Sequence, residues 1–243
     1  MTLDTTATRR RLIVNADDFG RSAGINRGIV HSHEQGIVTS ASLMVCWPDS
    51  VAAAAYARSQ TSLSVGLHID VGEWSFRNGS WRALYHWIDA DDPASAAREA
   101  GMQLERFRDL IGRDPTHFDS HQHVHRRSPM REVLAHMAAS LGVPLRHFSS
   151  VHYCGDFYGQ TATGEPLPHL IAPTSLTAVL RQLPSGVTEL ACHPGIGDDV
   201  ESMYRQERHV ELRTLCDGTI RHVLDEEEIR LVSFSDVGTL CRI

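Results

Sequence analysis

Seven short apolar runs, alternating with stretches of helical spacing and two long loops, set the limits on what this chain can fold into. The runs are 12–15, 38–46, 64–71, 117–121, 144–148, 187–192 and 229–234. The first is continuous (Leu12-Ile13-Val14-Asn15), as in a strand covered on both faces, and the second is β-branched and alternating. Helical segments fall between them. One runs from Ser22, a capping residue, to Gln35, with Gly36 as its stop. Others cover 48–58 with Pro48 at the first turn, 93–112, 128–141, 174–183 and 200–224. In 93–112 the apolar face reads as Ala97, Gly101, Leu104, Phe107 and Ile111. Strands that alternate with helices pair in parallel through right-handed crossovers, which makes this an α/β chain. Seven such strands close as an irregular barrel or stay open as a doubly wound sheet. No GxGxxG follows the first run, so a dinucleotide fold has no support. No composition break divides the 243 residues, a length near that of one (β/α) barrel. A single domain over 1–243 is expected, with 1–9 as a flexible tail.

The stretches 72–92 and 149–173 read as long loops. The first carries Trp74, Trp81 and Trp87, which are either packing residues or flat surfaces for a sugar.

Charge and residue usage exclude several functions. Basic residues number 23 against 30 acidic ones, a net charge of −7 with no basic stripe, so no nucleic-acid partner is expected. Every basic residue is arginine. Without lysine there is no Schiff-base chemistry, no lysine-anchored pyridoxal cofactor and no P-loop. The five cysteines form no CxxC pair and are odd in number, which fits a reducing compartment. No apolar run is long enough for a membrane span or a signal peptide. A cytoplasmic location is expected.

The informative pattern is where the polar residues fall. Asn15-Ala16-Asp17-Asp18-Phe19-Gly20 ends the first run, His68 and Asp70 the third, and Asp119-Ser120-His121-Gln122-His123-Val124-His125 the fourth. Arg146 and His147 end the fifth, and Cys192-His193-Pro194-Gly195 the sixth. In parallel α/β folds the C-terminal strand ends share one face, so these fragments meet in space. Two histidines and one aspartate supply two neutral nitrogens and one anionic oxygen, a ligand set for Zn²⁺ or a similar ion with water in the open positions. Of Asp17 and Asp18, one can bind the ion while the other stays free as a base. His121, His123 and His125 would share a face if extended. His121, nearest the strand end, is favoured as the ligand, and His123 as a contact to substrate or to a ligand.

These residues resemble those of the YdjC-like family of carbohydrate deacetylases. The likeness lies in Leu12 to Gly20 (LIVNADDFG), Gly36-Ile37-Val38-Thr39-Ser40, Gly66-Leu67-His68, Pro115 to His125 (PTHFDSHQHVH) and Cys192-His193-Pro194. The resemblance implies an irregular seven-stranded (β/α) barrel related to polysaccharide deacetylases, and one divalent metal ion, Mg²⁺ or Zn²⁺. It implies Asp18, His68 and His121 as metal ligands, Asp17 as catalytic base, His193 as the acid and Arg146 as the residue that orients the base. It also implies a small-molecule N-acetylated sugar as partner, and a homodimer. Two departures stand out: Gln122 where the family commonly has histidine, and Ile69-Asp70-Val71 after His68. With Asp70, His123 and Trp74 as expected substrate contacts, the reaction implied is metal-dependent hydrolysis of the acetamido group of an amino sugar or aminoglycoside-like molecule. The competing readings are a metal-dependent phosphoesterase and a non-catalytic sugar- or metal-binding protein.

Overall fold

The computed structural model describes residues 9–196 and 199–240. The expected tail lies outside them except for Arg9, whose carbonyl accepts from the Gly186 N–H at 3.2 Å.

The axis of the molecule is β1 (Arg10–Phe19), buried from Leu12 onward on both faces, as its unbroken apolar sequence requires. Around it a seven-stranded parallel sheet curls in the order β6 (Phe118–Ser120), β3 (Ser64–Ile69), β2 (Ser40–Leu43), β1, β8 (Gly186–Cys192) and β7 (His152–Cys154). The seventh strand, β9 (Arg230–Leu231), pairs with the start of β1 through Arg11 and Leu12. Helices α1 (Ala23–Glu34), α2 (Ser50–Ser59), α3 (Pro93–Ile111), α4 (Met130–Leu141), α5 (Pro173–Arg181), α6 (Gln206–Leu215) and α7 (Gly218–Glu226) connect the strands, and α8 (Phe234–Leu240) follows β9.

The strand count meets expectation, but one strand is exchanged. The run 144–148 makes a single parallel bridge, Leu145 to Phe118. Pro144 has no N–H to give a ladder, and His147 turns the chain away at φ 66°. The seventh place goes instead to β7, inside what reads as a loop. The sheet therefore ends at β6 on one side and at β7 on the other.

The expected loop 72–92 is in large part an antiparallel hairpin, β4 (Gly72–Arg77) with β5 (Ser80–His86). Its turn is Asn78-Gly79, both at positive φ (53° and 77°), the two-residue signal that suits a twisted hairpin. The expected helix 200–224 breaks at Asp217, whose carboxylate accepts the Thr219 N–H at 2.8 Å and caps α7. The final run shortens to the two residues of β9 before α8 begins.

α3 shows how sequence becomes packing. Asp92 caps it by accepting from Ser95, Pro93 fills its first turn, and Gly112 ends it in the left-handed region at φ 79°. Its buried face is Ala96, Ala100, Gln103, Leu104, Phe107, Leu110 and Ile111. Leu104, Phe107 and Ile111 are on the expected face, while at its N-terminal end Ala96 and Ala100 take the places expected of Ala97 and Gly101, with Ala97 exposed. Each large apolar side chain buried this way contributes about 1.5–3 kcal/mol.

One close approach matters for the site. A Cβ at Gly28 on α1 would stand 2.3 Å from the Gly195 Cα, so two glycines let the segment after β8 lie against the helix. That contact fixes the chain just beyond His193.

Candidate active site

Asp17 and Asp18 follow one another in a strand, where neighbouring side chains point to opposite faces. Asp18 breaks the alternation: its φ is 69°, a left-handed conformation that aspartate tolerates better than most residues. The β1–β2 register shifts between Ala16 and Phe19 at the same place. Both carboxylates are thereby presented near the same histidines.

The Asp18 Oδ1 lies 3.1 Å from His121 Nδ1 and 3.6 Å from His68 Nε2, with all three residues buried. One ligand atom from each falls within 4.8 Å of the others. Neither Asp18 Oδ1 nor His121 Nε2 has a hydrogen-bond partner, although both are buried. An orphaned buried carboxylate oxygen within ligand distance of two imidazoles fits a cation among the three residues. His68 is aimed by its other nitrogen, with Nδ1 2.8 Å from Asp119 Oδ1. That is the carboxylate–imidazole arrangement that fixes a metal-binding tautomer. The Asp18 Oδ2 is paired with Arg208. Burial works against its charge, but Arg208 and His121 overcome this and hold its carboxyl well below the ordinary range. For His121, burial opposes charge as well, yet the Asp18 and Glu73 carboxylates raise it to about 10.

Asp17 is engaged by Arg146. Its Oδ1 and Oδ2 each accept from Arg146 at 2.7 Å, and Oδ1 also accepts from Asn15 at 2.9 Å. Burial raises its pKa, but Arg146 outweighs this and keeps it below the ordinary value. Arg146 carries two further carboxylates: Asp119 Oδ2 at 2.7 Å from Nη2, and Glu189 Oε1 at 2.8 Å from Nε and 2.6 Å from Nη2. Three acids share one guanidinium. Burial pushes Glu189 up to about 7 despite the arginine, so it holds a proton more readily than the other two.

Asp17, His68 and Asp119 also come within ligand distance of one another. Both aspartates there are already engaged by Arg146, and His68 Nδ1 by Asp119. A cation would have to compete with the guanidinium, so Asp18, His68 and His121 are the better set.

His193 closes the group from β8. Its Nε2 is 3.9 Å from Asp17 Oδ2 and its Nδ1 is 3.9 Å from Glu211 Oε1. The side chain is 22% exposed, more open than Asp17 or Glu211, and the Tyr158 and Tyr204 rings lie beside it.

The remaining expected contacts divide. The HxHxH run is not extended: residues His121–Arg126 form a 3-10 turn in which Gln122 and His123 take positive φ. The shared face of a strand is therefore lost, and His123 joins His125 and His147 instead. Trp74 is half-buried on β4, and its main chain is held at both ends by Gln122, which accepts from the Trp74 N–H at 2.9 Å and donates to its carbonyl at 2.8 Å. Asp70 is fully buried. It accepts from Trp47 Nε1 at 2.9 Å, from the Tyr85 hydroxyl at 3.1 Å and from the Gly72 N–H at 3.1 Å, so it braces the hairpin base and does not face the triad.

Sequence reading missed Glu73, Arg208 and Glu211. Glu73 Oε2 is 3.6 Å from His121 Nε2 and pairs with Arg21. Glu207, Arg208 and Glu211 are buried on α6 with few apolar neighbours on that helix. A helix between strands whose inward face is charged was the available signal.

Comparison with known proteins places these residues in a family. Residues 11–226 match the model of the YdjC-like protein family. The chain is 34% identical over 256 residues to a chitooligosaccharide deacetylase of Citrobacter koseri, covering 94% of this chain and 99% of the relative. It is similar in structure to a protein of Enterococcus faecalis V583 described as a cellobiose-phosphate cleavage protein, with TM-score 0.75, 21% identity, and 94% and 99% of the two chains covered. A family 4 carbohydrate esterase from Streptomyces lividans shares the fold more distantly, with TM-score 0.56, 11% identity and 93% of each chain covered.

Proposed function

The chain belongs to the YdjC-like family, and from that premise we propose that it is a metal-dependent deacetylase which hydrolyses the acetamido group of an amino sugar to a free amine and acetate. The observation that carries the reading is the division of labour between adjacent carboxylates. Asp18 joins two imidazoles in a set with orphaned atoms, while Asp17 is held apart on Arg146 and remains ionised.

Asp18, His68 and His121 would hold one divalent ion. Two imidazoles and a carboxylate suit Zn²⁺ and its late first-row neighbours better than Mg²⁺, which prefers oxygen. When bound, such an ion supplies Lewis acidity toward the acetyl carbonyl and acidifies water. The remaining chemistry belongs to the protein. Asp17 accepts the proton of the attacking water, with Arg146 fixing both its oxygens in place. His193, on the other side of Asp17, donates a proton to the departing nitrogen, without which an amide nitrogen is too poor a leaving group. Glu211 holds His193 through the backbone N–H and faces its ring. The half-exposed edge of His193 and the Tyr158 ring mark the open side, where the sugar enters.

No helix among the described residues is long and apolar enough to cross a membrane. The substrate is proposed to be a small N-acetylated sugar. The test is acetate release from a panel of N-acetylated amino sugars, with and without chelator. Release abolished by chelator and restored by Zn²⁺ is expected. No acetate from any member, with one ion retained per chain, would favour a binding protein. Phosphate release from sugar phosphates would favour a phosphoesterase.

A further inference from the structure

His123, His125 and His147 form a second cluster that shares no residue with Asp18, His68 and His121. Ligand-capable nitrogens of the three rings lie within 4.8 Å of one another. The His123 Nδ1 stands 3.4 Å from the His147 Nε2. The ring centroids form a near-equilateral triangle with sides of 5.6, 5.2 and 5.5 Å. With metal–nitrogen bonds of about 2.0–2.1 Å, a tetrahedral ion keeps its ligand nitrogens roughly 3.4 Å apart and its imidazole centroids roughly 5.2 Å apart. The triangle is the size that three imidazoles around one ion would make.

The cluster also has a nitrogen left over. His125 is fully buried, and its Nδ1 is committed to the Ser120 hydroxyl at 2.6 Å. Its Nε2 has no partner. A buried ring nitrogen with nothing to bond is costly unless something fills the place. The Tyr153 hydroxyl, 3.3 Å from His123 Nε2, fixes that ring from behind. Of the arginines that bear on the cluster, Arg146 is already matched by Asp17, Asp119 and Glu189, and Arg126 acts on His147. His123 and His147 are each partly exposed, so an ion can reach the cluster from solvent.

We propose that His123, His125 and His147 bind a second divalent ion of the late first row, such as Zn²⁺, Ni²⁺ or Cu²⁺, independently of the ion held by Asp18, His68 and His121. A ligand set of three imidazoles and no carboxylate selects against Mg²⁺ and Ca²⁺, which take oxygen ligands.

The test uses the full chain, stripped with chelator, loaded with excess Zn²⁺, passed through gel filtration and assayed for zinc. Two ions per chain are expected, falling to one in His147→Asn and to one in Asp18→Asn. Asparagine tolerates the left-handed backbone at position 147, so this variant keeps the fold. Mg²⁺ in place of Zn²⁺ should never exceed one ion per chain. With Cu²⁺ as probe, the Asp18→Asn chain should show nitrogen hyperfine structure that changes when His147→Asn is added. One zinc in the wild type that vanishes with Asp18→Asn overturns the second site and leaves the first. One zinc that survives Asp18→Asn and vanishes with His147→Asn overturns the ligand set proposed above and supports this one. Two zincs retained in His147→Asn overturn the proposal outright.

Discussion

Arg146 grips Asp17 by both carboxylate oxygens, each at 2.7 Å, so the expected base can neither rotate nor drift toward the metal triad one residue away. Its negative charge is stabilised in place, and its role separates cleanly from that of Asp18.

Asp17→Asn should therefore keep its ion and lose turnover. A positioned base contributes about 10²–10⁴ in rate, and the expected fall in kcat is of that size with metal content unchanged. The check is metal analysis alongside acetate release. A variant that loses its ion along with its activity would make Asp17 a ligand.

Arg208→Met should expose how Asp18 is charged. The side chain is buried and paired with Asp18 Oδ2, and it also donates to the Tyr204 carbonyl at 2.9 Å. Removing one partner of a buried pair costs roughly 3–5 kcal/mol. A bound ion takes over the same charge, so the fall in Tm should be larger in chelator than in Zn²⁺. Equal losses in both conditions would separate Arg208 from the metal pocket.

Gln122→Ala removes both side-chain bonds that fasten Trp74 to the 3-10 turn. Each is worth about 0.5–1.5 kcal/mol, so the fold persists while the hairpin loosens. Faster amide exchange over β4 is expected, with KM raised several-fold and kcat within about twofold, the signature of lost uniform binding. Unchanged exchange at Trp74 and Phe76 would refute the role.

Acidification should weaken the fold. Burial holds His125 down to about 3 and His117 to about 4, against an ordinary 6.5. Below pH 6.5 the unfolded chain takes these two protons and the folded chain does not. Stability is full above 6.5 and falls with pH by about 1.4 kcal/mol per unit for each histidine. Glu189 acts in the opposite sense. Raised from 4.5 to about 7, it makes the folded chain hold one proton more between those values. His123 and His147, lowered to about 2 and about 4, act in the same sense as His125 and His117, so the histidines outweigh Glu189 and stability falls from pH 6.5 to about 4.5. Urea midpoints in chelator at pH 7, 6 and 5 should fall in that order, and His125→Gln should flatten the trend. A midpoint that rises toward pH 5 would contradict it.

Much of this site was legible because its members sit where strands end. Asp17, Asp18, His68 and His193 are each the polar residues that break an apolar run, and parallel topology gathers such positions at one face. What escaped was supplied by elements whose local pattern carries no sign of their destination. Arg208 and Glu211 come from a helix that turns charges inward, and Glu73 from a hairpin marked only by Asn78-Gly79. Asp70 was harder to place for a related reason: a carboxylate two residues beyond His68 also suits a brace for Trp47 and Tyr85. The face of α3 was read correctly at Leu104, Phe107 and Ile111 and slipped by one residue only at its N-terminal end, where alanines and a glycine mark a face weakly.

The exchanged strand has a consequence of its own. Between β6 and β7 the curled sheet is not laced by a continuous ladder: residue 145 is tied to Phe118, β7 is tied to β8, and His147 and Tyr153 line the gap. A cylinder with such a seam can be widened along it by altering side chains alone, while every rung elsewhere stays intact. Bulkier sugars would be admitted by remodelling residues 147–153, leaving Asp17, Asp18, His68, His121 and His193 in their places.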